Sequence, residues 1–278
     1  MIKIDLEGGR RGRQQPPLRY PAVGFCIYCG STINLTNEHI LPYGLGGRTV
    51  LPSASCMKCA KITSAIERAC LRTMFGDLRS AFNMKRRKRK DKDKYKPRPM
   101  LAHVGRTLVP YQAPNPNQRL NAAFMYAFYE PTILAGVTPT ERKHRPFDAA
   151  WVHGSLGSQA ASTLKAATST DITRLASVAS FHPVIFSKMI AKIGYAFAMA
   201  GARGRFKPII AKAIIGEEPW VFGYLVGGEP EQPSPSTSSA EIDLLRITAA
   251  SGTEYLMARV RLFGDLGAPA YYVVVGEL

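Results

Sequence analysis

Acidic residues are scarce in this chain of 278 residues: 20 Asp+Glu stand against 37 Lys+Arg, leaving a formal charge of +17. Such a surplus favours a polyanionic partner and speeds encounter with it, so nucleic acid and anionic membrane are the first candidates. Also lacking is an uninterrupted apolar run of the roughly 20 residues that a bilayer crossing needs. The nearest stretch, Val184 to Ala200, is interrupted by Lys188 and Lys192. Nor is there a secretory start, because Met1 to Tyr20 is polar and holds Gly8, Gly9, Pro16 and Pro17. These absences set membrane aside and lead us to expect a cytoplasmic protein. No internal repeat is found. With 46% hydrophobic and 9% aromatic residues, the composition is that of a folded chain long enough for one large domain or two small ones.

Cysteine is used sparingly but not at random. Of five, four fall as Cys26-x2-Cys29 and Cys56-x2-Cys59, two close pairs of the kind that chelate one ion in a reducing compartment. Four thiolates fill a tetrahedral coordination sphere and leave no place for substrate, so the expected ion is a structural zinc that staples a segment with too little core to fold alone. The fifth, Cys70, reads as a small buried apolar residue on a helix.

Composition divides the chain into four stretches. Residues 1–20 read as a flexible basic arm with Arg10, Arg11 and Arg13 in a Gly/Gln/Pro context. Residues 21–84 form the zinc-stapled module: short strands and turns from Phe25 to Val50, then a helix capped by Ser53 or Ser55. The apolar positions Ile62, Ile66, Ala69, Cys70, Met74 and Leu78 of that helix follow a 3.6-residue period. Residues 85–118 read as a linker, basic at first and then Pro-rich; between Lys85 and Arg98 it holds ten basic and two acidic residues, +8 of the +17. A tether so charged is too solvated to pack, yet it still gains affinity for phosphates by releasing counterions.

Residues 119–278 are expected to form an α+β domain of unknown role. A helix from Pro183 to Ala200 closes at Gly201, and strands follow at Trp220 to Val226, Ile242 to Thr248, Tyr255 to Phe263 and Ala270 to Val275. Glu229 to Ser239 reads as an exposed low-complexity loop. His103, His144, His153 and His182 have no companions at ligand spacing and receive no role.

Between the two cysteine pairs stand Thr36-Asn37-Glu38-His39-Ile40-Leu41-Pro42 and Gly44-Leu45-Gly46-Gly47. The order is Cys-x2-Cys, acid and His followed by Ile and Pro, a Gly-Gly loop, then Cys-x2-Cys opening a helix. Over residues 25–80 it resembles the HNH (ββα-metal) endonuclease family, in particular bacterial proteins with a Glu-His-Ile-x-Pro core. The resemblance implies an HNH module at 21–84 and a phosphodiester hydrolase of bacterial or phage setting, with DNA the expected substrate. His39 would be the general base that activates water. Glu38 would hold a catalytic Mg²⁺ or Mn²⁺ that stabilises charge on the phosphorane and the leaving oxygen.

The family's middle Asn would fall near Val50 or Leu51 and its last His or Asn on Ala60, and none of these residues offers a ligand. A second ligand for the catalytic ion would therefore come from Glu67 or Thr63, on the same helix face as Ala60. Glu67 serves equally well as a surface partner for Lys61 or Arg68. Arg48 beside the glycine loop, Arg68, Arg72 and Arg79 on the helix, and the run Lys85, Arg86, Arg87, Lys88, Arg89 and Lys90 are the expected phosphate contacts. Two rival readings stay open. One is a non-catalytic zinc module that binds nucleic acid while function resides in the C-terminal domain, and the other is a regulatory or assembly protein. Oligomeric state is not legible.

Overall fold

A computed structural model describes residues 2–4, 20–82, 84, 100–104, 106–111, 122–138, 140, 149–156, 172–177, 182–218, 221–229 and 235–278. In chain order its strands are β1 (Ile2–Ile4), β2 (Leu35–His39), β3 (Val50–Cys56), β4 (Met100–Val104), β5 (Thr107–Tyr111), β6 (Ala122–Phe128), β7 (Ala149–Leu156), β8 (Ile172–Ser177), β9 (Lys207–Pro208), β10 (Val226–Gly228), β11 (Ala240–Thr248), β12 (Glu254–Leu262) and β13 (Ala270–Glu277). Its helices are α1 (Met57–Thr73), α2 (Gly76–Ala81), α3 (Pro183–Ala202) and α4 (Ala211–Ile215). This is an α+β chain.

The largest sheet is antiparallel, in the order β1-β11-β12-β13-β10, with β9 also pairing β13. Its core strands β12 and β13 are rich in β-branched and aromatic residues and are buried along nearly their whole length. β11 begins at Ala240 and β13 runs to Glu277, somewhat beyond the expected bounds. The strand expected at Trp220 to Val226 is not formed by its described residues, which begin at Val221. Val221 to Leu225 turn over themselves, with Leu225 N–H donating to the Val221 carbonyl, and only Val226–Gly228 joins the sheet.

α3 is the hub. It is buried on nearly every side, lying across β12 and β13 on one face and against α1 on the other. Gly194 permits the close approach to the sheet, since a Cβ there would stand 2.9 Å from Ala258 Cβ and 3.2 Å from Val273. Towards the zinc module, Tyr195 Oη donates to the Ile27 carbonyl at 2.7 Å. Its length of 20 residues and mean hydropathy of 1.3 would suffice for a membrane crossing, but 72% of that window is buried inside the fold, as in the core helix of a globular body. The helix runs through Gly201 to Ala202 rather than stopping at the glycine.

Three boundaries differ from expectation. Buried residues from Val23 to Met84 and from Phe186 to Val275 form a single hydrophobic cluster, so the N-terminal module and the C-terminal half are one packed body rather than beads on a tether. Strands β4 and β5 fall inside the stretch read as linker and pair with each other, and β4 also pairs with β8. Strand β1 falls inside the stretch read as a loose arm and pairs with the edge of β11. Residues 85–99, with the whole basic run from Lys85 to Arg98, lie outside the described residues.

Candidate metal centre and buried cation site

The first cysteine pair sits in a tight turn ahead of β2. Cys26 N–H donates to Ser31 O at 2.7 Å, Gly30 N–H returns to Cys26 O at 2.8 Å, and Gly30 takes φ +78°, which a side chain would resist. β2 and β3 form a two-stranded antiparallel hairpin that leads directly into α1. Two extra residues on β3, between the Thr36–Ser55 and Glu38–Leu51 pairs, bulge at Ser53, whose φ is 49°. Neither Ser53 nor Ser55 caps α1. Ser55 is still in the strand and Cys56 takes the N-cap, because the strand must run on to bring the second pair of cysteines back to the first.

The four sulfurs of Cys26, Cys29, Cys56 and Cys59 lie within 4.8 Å of one another, and Cys29 and Cys56 Sγ are 3.7 Å apart. A tetrahedron with Zn–S of about 2.3 Å needs sulfurs about 3.8 Å apart, and a disulfide about 2.05 Å. The spacing therefore suits a metal ion and not a crosslink. The backbone N–H of Cys59 at the helix start holds the Cys56 thiol down at about 7, while burial pushes the Cys59 thiol up. The donor set and its geometry fit zinc, with Cys26, Cys56 and Cys59 buried and Cys29 at the rim.

The structure brings Glu38 and Glu67 together, but around a cation that the sequence pattern did not single out. Lys192, from the middle of α3, places its Nζ 2.8 Å from Glu38 Oε1 and 2.8 Å from Glu67 Oε1. The same ammonium donates to the His39 carbonyl and, at 3.4 Å, to the Ile40 carbonyl. The Lys192 side chain is 1% exposed, that of Glu38 5% and that of Glu67 19%, so water supplies almost none of the neutralisation. Burial works against the charge on Lys192, and the two carboxylates more than reverse it, so its pKa is raised. For Glu38 burial outweighs the attraction of Lys192, and its carboxyl also lies above the usual range.

The site is a triad of two carboxylates on one ammonium, in which the carboxylates hold the proton on Lys192 and burial disfavours the charge on Glu38. A signal for Lys192 is nonetheless in the sequence: a lysine one residue before Ile193, on the stripe of Met189, Ile193 and Phe197, has no way out to solvent and needs a buried counter-ion.

The other expected site residues make contacts of their own. Thr63 is buried and its hydroxyl donates to Ala60 O at 3.4 Å, one turn back along its own helix. His39 is half-buried at the end of β2, its ring 6.0 Å from that of Tyr43. Arg79 departs from the outer face. Its Nε donates to Gly44 O at 2.7 Å and its Nη1 to Leu71 O at 3.3 Å, which ties the glycine loop to the end of α1. That loop is closed tightly, since a Cβ on Gly47 would stand 2.1 Å from Leu41 O. Arg48 is half-buried. Lys85 to Lys90 lie outside the described residues.

Arg68 and Arg72 are exposed, and they do not stand alone. With exposed Lys58 and Lys61 they recur at helical spacing along one side of α1, opposite the buried stripe Cys59, Thr63, Ile66 and Cys70. The basic row spans about 21 Å at 1.5 Å per residue. Glu67 is the sole acidic residue of α1 and is turned to Lys192, so nothing on the helix neutralises that row. Lys58 and Lys61 are recoverable from the 3.6-residue period.

No protein-family model, curated protein or solved structure matches this chain.

Proposed function

We propose that this protein is a zinc-stapled nucleic-acid-binding protein that grips phosphate backbone through α1, on a scaffold of the HNH type without a divalent ion between Glu38 and Glu67. The observation that carries this reading is the row of Lys58, Lys61, Arg68 and Arg72, exposed and of one sign on a helix whose one carboxylate is engaged elsewhere. Cations at that spacing release counterions from a nucleic-acid backbone, and the formal charge of +17 extends the attraction around them. Glu38 argues for catalysis only while it is free to hold an ion. Its ion pair with Lys192 gives it a structural duty instead.

Binding of a fluorescent duplex, followed by anisotropy across a salt series, tests this. Charge reversal of Lys61 and Arg68 to Glu is expected to weaken binding at least ~10-fold and to flatten the plot of log affinity against log salt by about 0.9 for each phosphate no longer neutralised. An unchanged slope and affinity would remove α1 from the interface. Neutralising six basic residues between Lys85 and Arg98 is expected to flatten the same plot further.

A second reading is favoured by a specific observation. The hairpin β2–β3 followed by α1, with half-buried His39 at the strand end, is the order in which the HNH resemblance would have His39 activate water for phosphodiester hydrolysis. In that endonuclease reading, catalysis needs Mg²⁺ or Mn²⁺ held elsewhere than between Glu38 and Glu67, or requires Lys192 to withdraw. Zinc-loaded protein incubated with supercoiled plasmid and with Mg²⁺, Mn²⁺ or no added ion separates the two. Retarded but intact plasmid in every lane supports the binding protein. Metal-stimulated cutting that falls at least ~10²-fold in His39→Ala would establish the nuclease.

A further inference from the structure

Among the described residues the Lys192 ammonium is hydrogen-bonded to oxygen atoms: Glu38 Oε1 and Glu67 Oε1 at 2.8 Å, the Ile40 carbonyl at 3.4 Å and the His39 carbonyl in close contact. Two carboxylates and two backbone carbonyls converging on one point are the ligands that hard divalent cations take, whereas a lysine pair in a core needs only one carboxylate. The Tyr28 hydroxyl is buried with no hydrogen-bond partner among the described residues, and its burial first, then the charges of Glu38 and Glu67, oppose its ionisation. The two carboxylates and two carbonyls supply more oxygen donors, and one more negative charge, than a single ammonium satisfies.

We infer that Glu38, Glu67 and the carbonyls of His39 and Ile40 form a cation site whose native occupant is the Lys192 side chain, and that a divalent ion binds there only when that side chain is shortened. The argument is one of place and charge. Nζ occupies the point equidistant from the two carboxylate oxygens, so an ion at about 2.0–2.6 Å from those oxygens, the range for Mg²⁺ and Ca²⁺, would overlap it. Removing the ammonium leaves two facing carboxylates with no counter-charge in a place that water hardly reaches. A divalent ion balances both of them, where the ammonium balanced one. The inference is independent of nucleic-acid binding and requires no catalysis.

The test uses full-length, zinc-loaded protein and Mn²⁺ as probe, read by loss of the free-ion signal in electron paramagnetic resonance and by the shift in melting temperature. Zinc stays on the thiolates, which hold it in preference to Mn²⁺. Lys192→Ala is expected to bind one Mn²⁺ per chain at least ~10-fold tighter than wild type, to gain several degrees of melting temperature from the ion, and to lose both in Lys192→Ala/Glu67→Gln. Wild type and Lys192→Arg are expected to take up no Mn²⁺ that Glu67→Gln affects.

Mn²⁺ binding to wild type that Glu38→Gln or Glu67→Gln abolishes would overturn the inference, because the lysine would then be no barrier. So would a folded Lys192→Ala that ignores Mn²⁺. Lys192→Ala that stays insoluble when expressed and refolded with Mn²⁺ would also count against it, since an ion able to replace the ammonium would rescue the fold. Recovery of soluble protein only with Mn²⁺ supports it.

Discussion

Cys59→Ser is expected to strip the protein of its zinc and melt the segment from Val23 to Met84. Cys56 and Cys59 stand at the junction of β3 and α1, and Cys26 and Cys29 in the turn ahead of β2, so an ion on their four sulfurs would close hairpin onto helix. Structural zinc of this kind contributes on the order of 10 kcal/mol of apparent binding free energy at neutral pH, comparable to the whole stability of a domain. Because that segment shares its hydrophobic core with α3 and the large sheet, the loss should propagate. The check is elemental analysis of protein purified without chelator, with circular dichroism alongside: one zinc per chain in wild type and none in the variant. Wild-type protein with no zinc and an undiminished melting temperature would end the zinc assignment.

Lys192→Met is expected to cost about 3–5 kcal/mol of unfolding free energy, the usual penalty for leaving a buried charge without its partner. Methionine keeps the unbranched stem and loses only the terminal ammonium, so little of the loss can be ascribed to a cavity. What remains is two carboxylates facing each other across an apolar probe. Glu38→Gln added to Lys192→Met should therefore recover part of the loss, making the double variant more stable than the single, a non-additivity that simple packing defects do not show.

The pH dependence follows from the directions of the two shifts. The Lys192 pKa is raised above 10.5, so its contribution is fully present below that value and is lost as pH rises through the folded-state value. Glu38 is raised above 4.5, so the stability it contributes is present below that value and lost as pH rises through its folded-state value. Wild type should weaken in the strongly alkaline range, and Lys192→Met should lack that step. Urea midpoints measured from acid to strongly alkaline pH read both; identical alkaline profiles for the two proteins would show that the triad contributes nothing.

The α+β class, the convergence of the four zinc cysteines, α1 and α3 are legible in the sequence because each rests on a local regularity, a spacing of cysteines or a 3.6-residue apolar period. The family resemblance offers Glu67 or Thr63 as a companion to Glu38 on one ion, and the structure instead sets the Glu38 and Glu67 carboxylates on Lys192. Their partner is not legible, because a contact between residues 38 and 192 has no local signature; only the incongruity of a lysine on the apolar stripe of α3 hints at it. The linker expectation fails at β4 and β5 for a related reason. Met100 to Tyr111 lacks clear alternation, the charged run before it dominates the composition, and the pairing of β4 with β8 lies some 70 residues ahead in the chain. Spacing alone puts Arg79 with the surface arginines, whereas the chain turns after Thr73 and sends its guanidinium back to Gly44 O.

The distance along the chain between the carboxylates and their lysine sets an order of events during synthesis. The zinc hairpin and α1 leave the ribosome first, and His39 precedes Lys192 by 153 residues. At typical elongation rates of about 5–20 residues per second, that is a delay of roughly 8 to 30 s. Throughout it, Glu38 and Glu67 face solvent or a passing cation, and α1 presents the apolar side that α3 will cover. A nascent chain halted before α3 would hold its zinc and still display an unfinished, sticky and acidic groove, the form in which chaperones and metal ions in the cell would meet it.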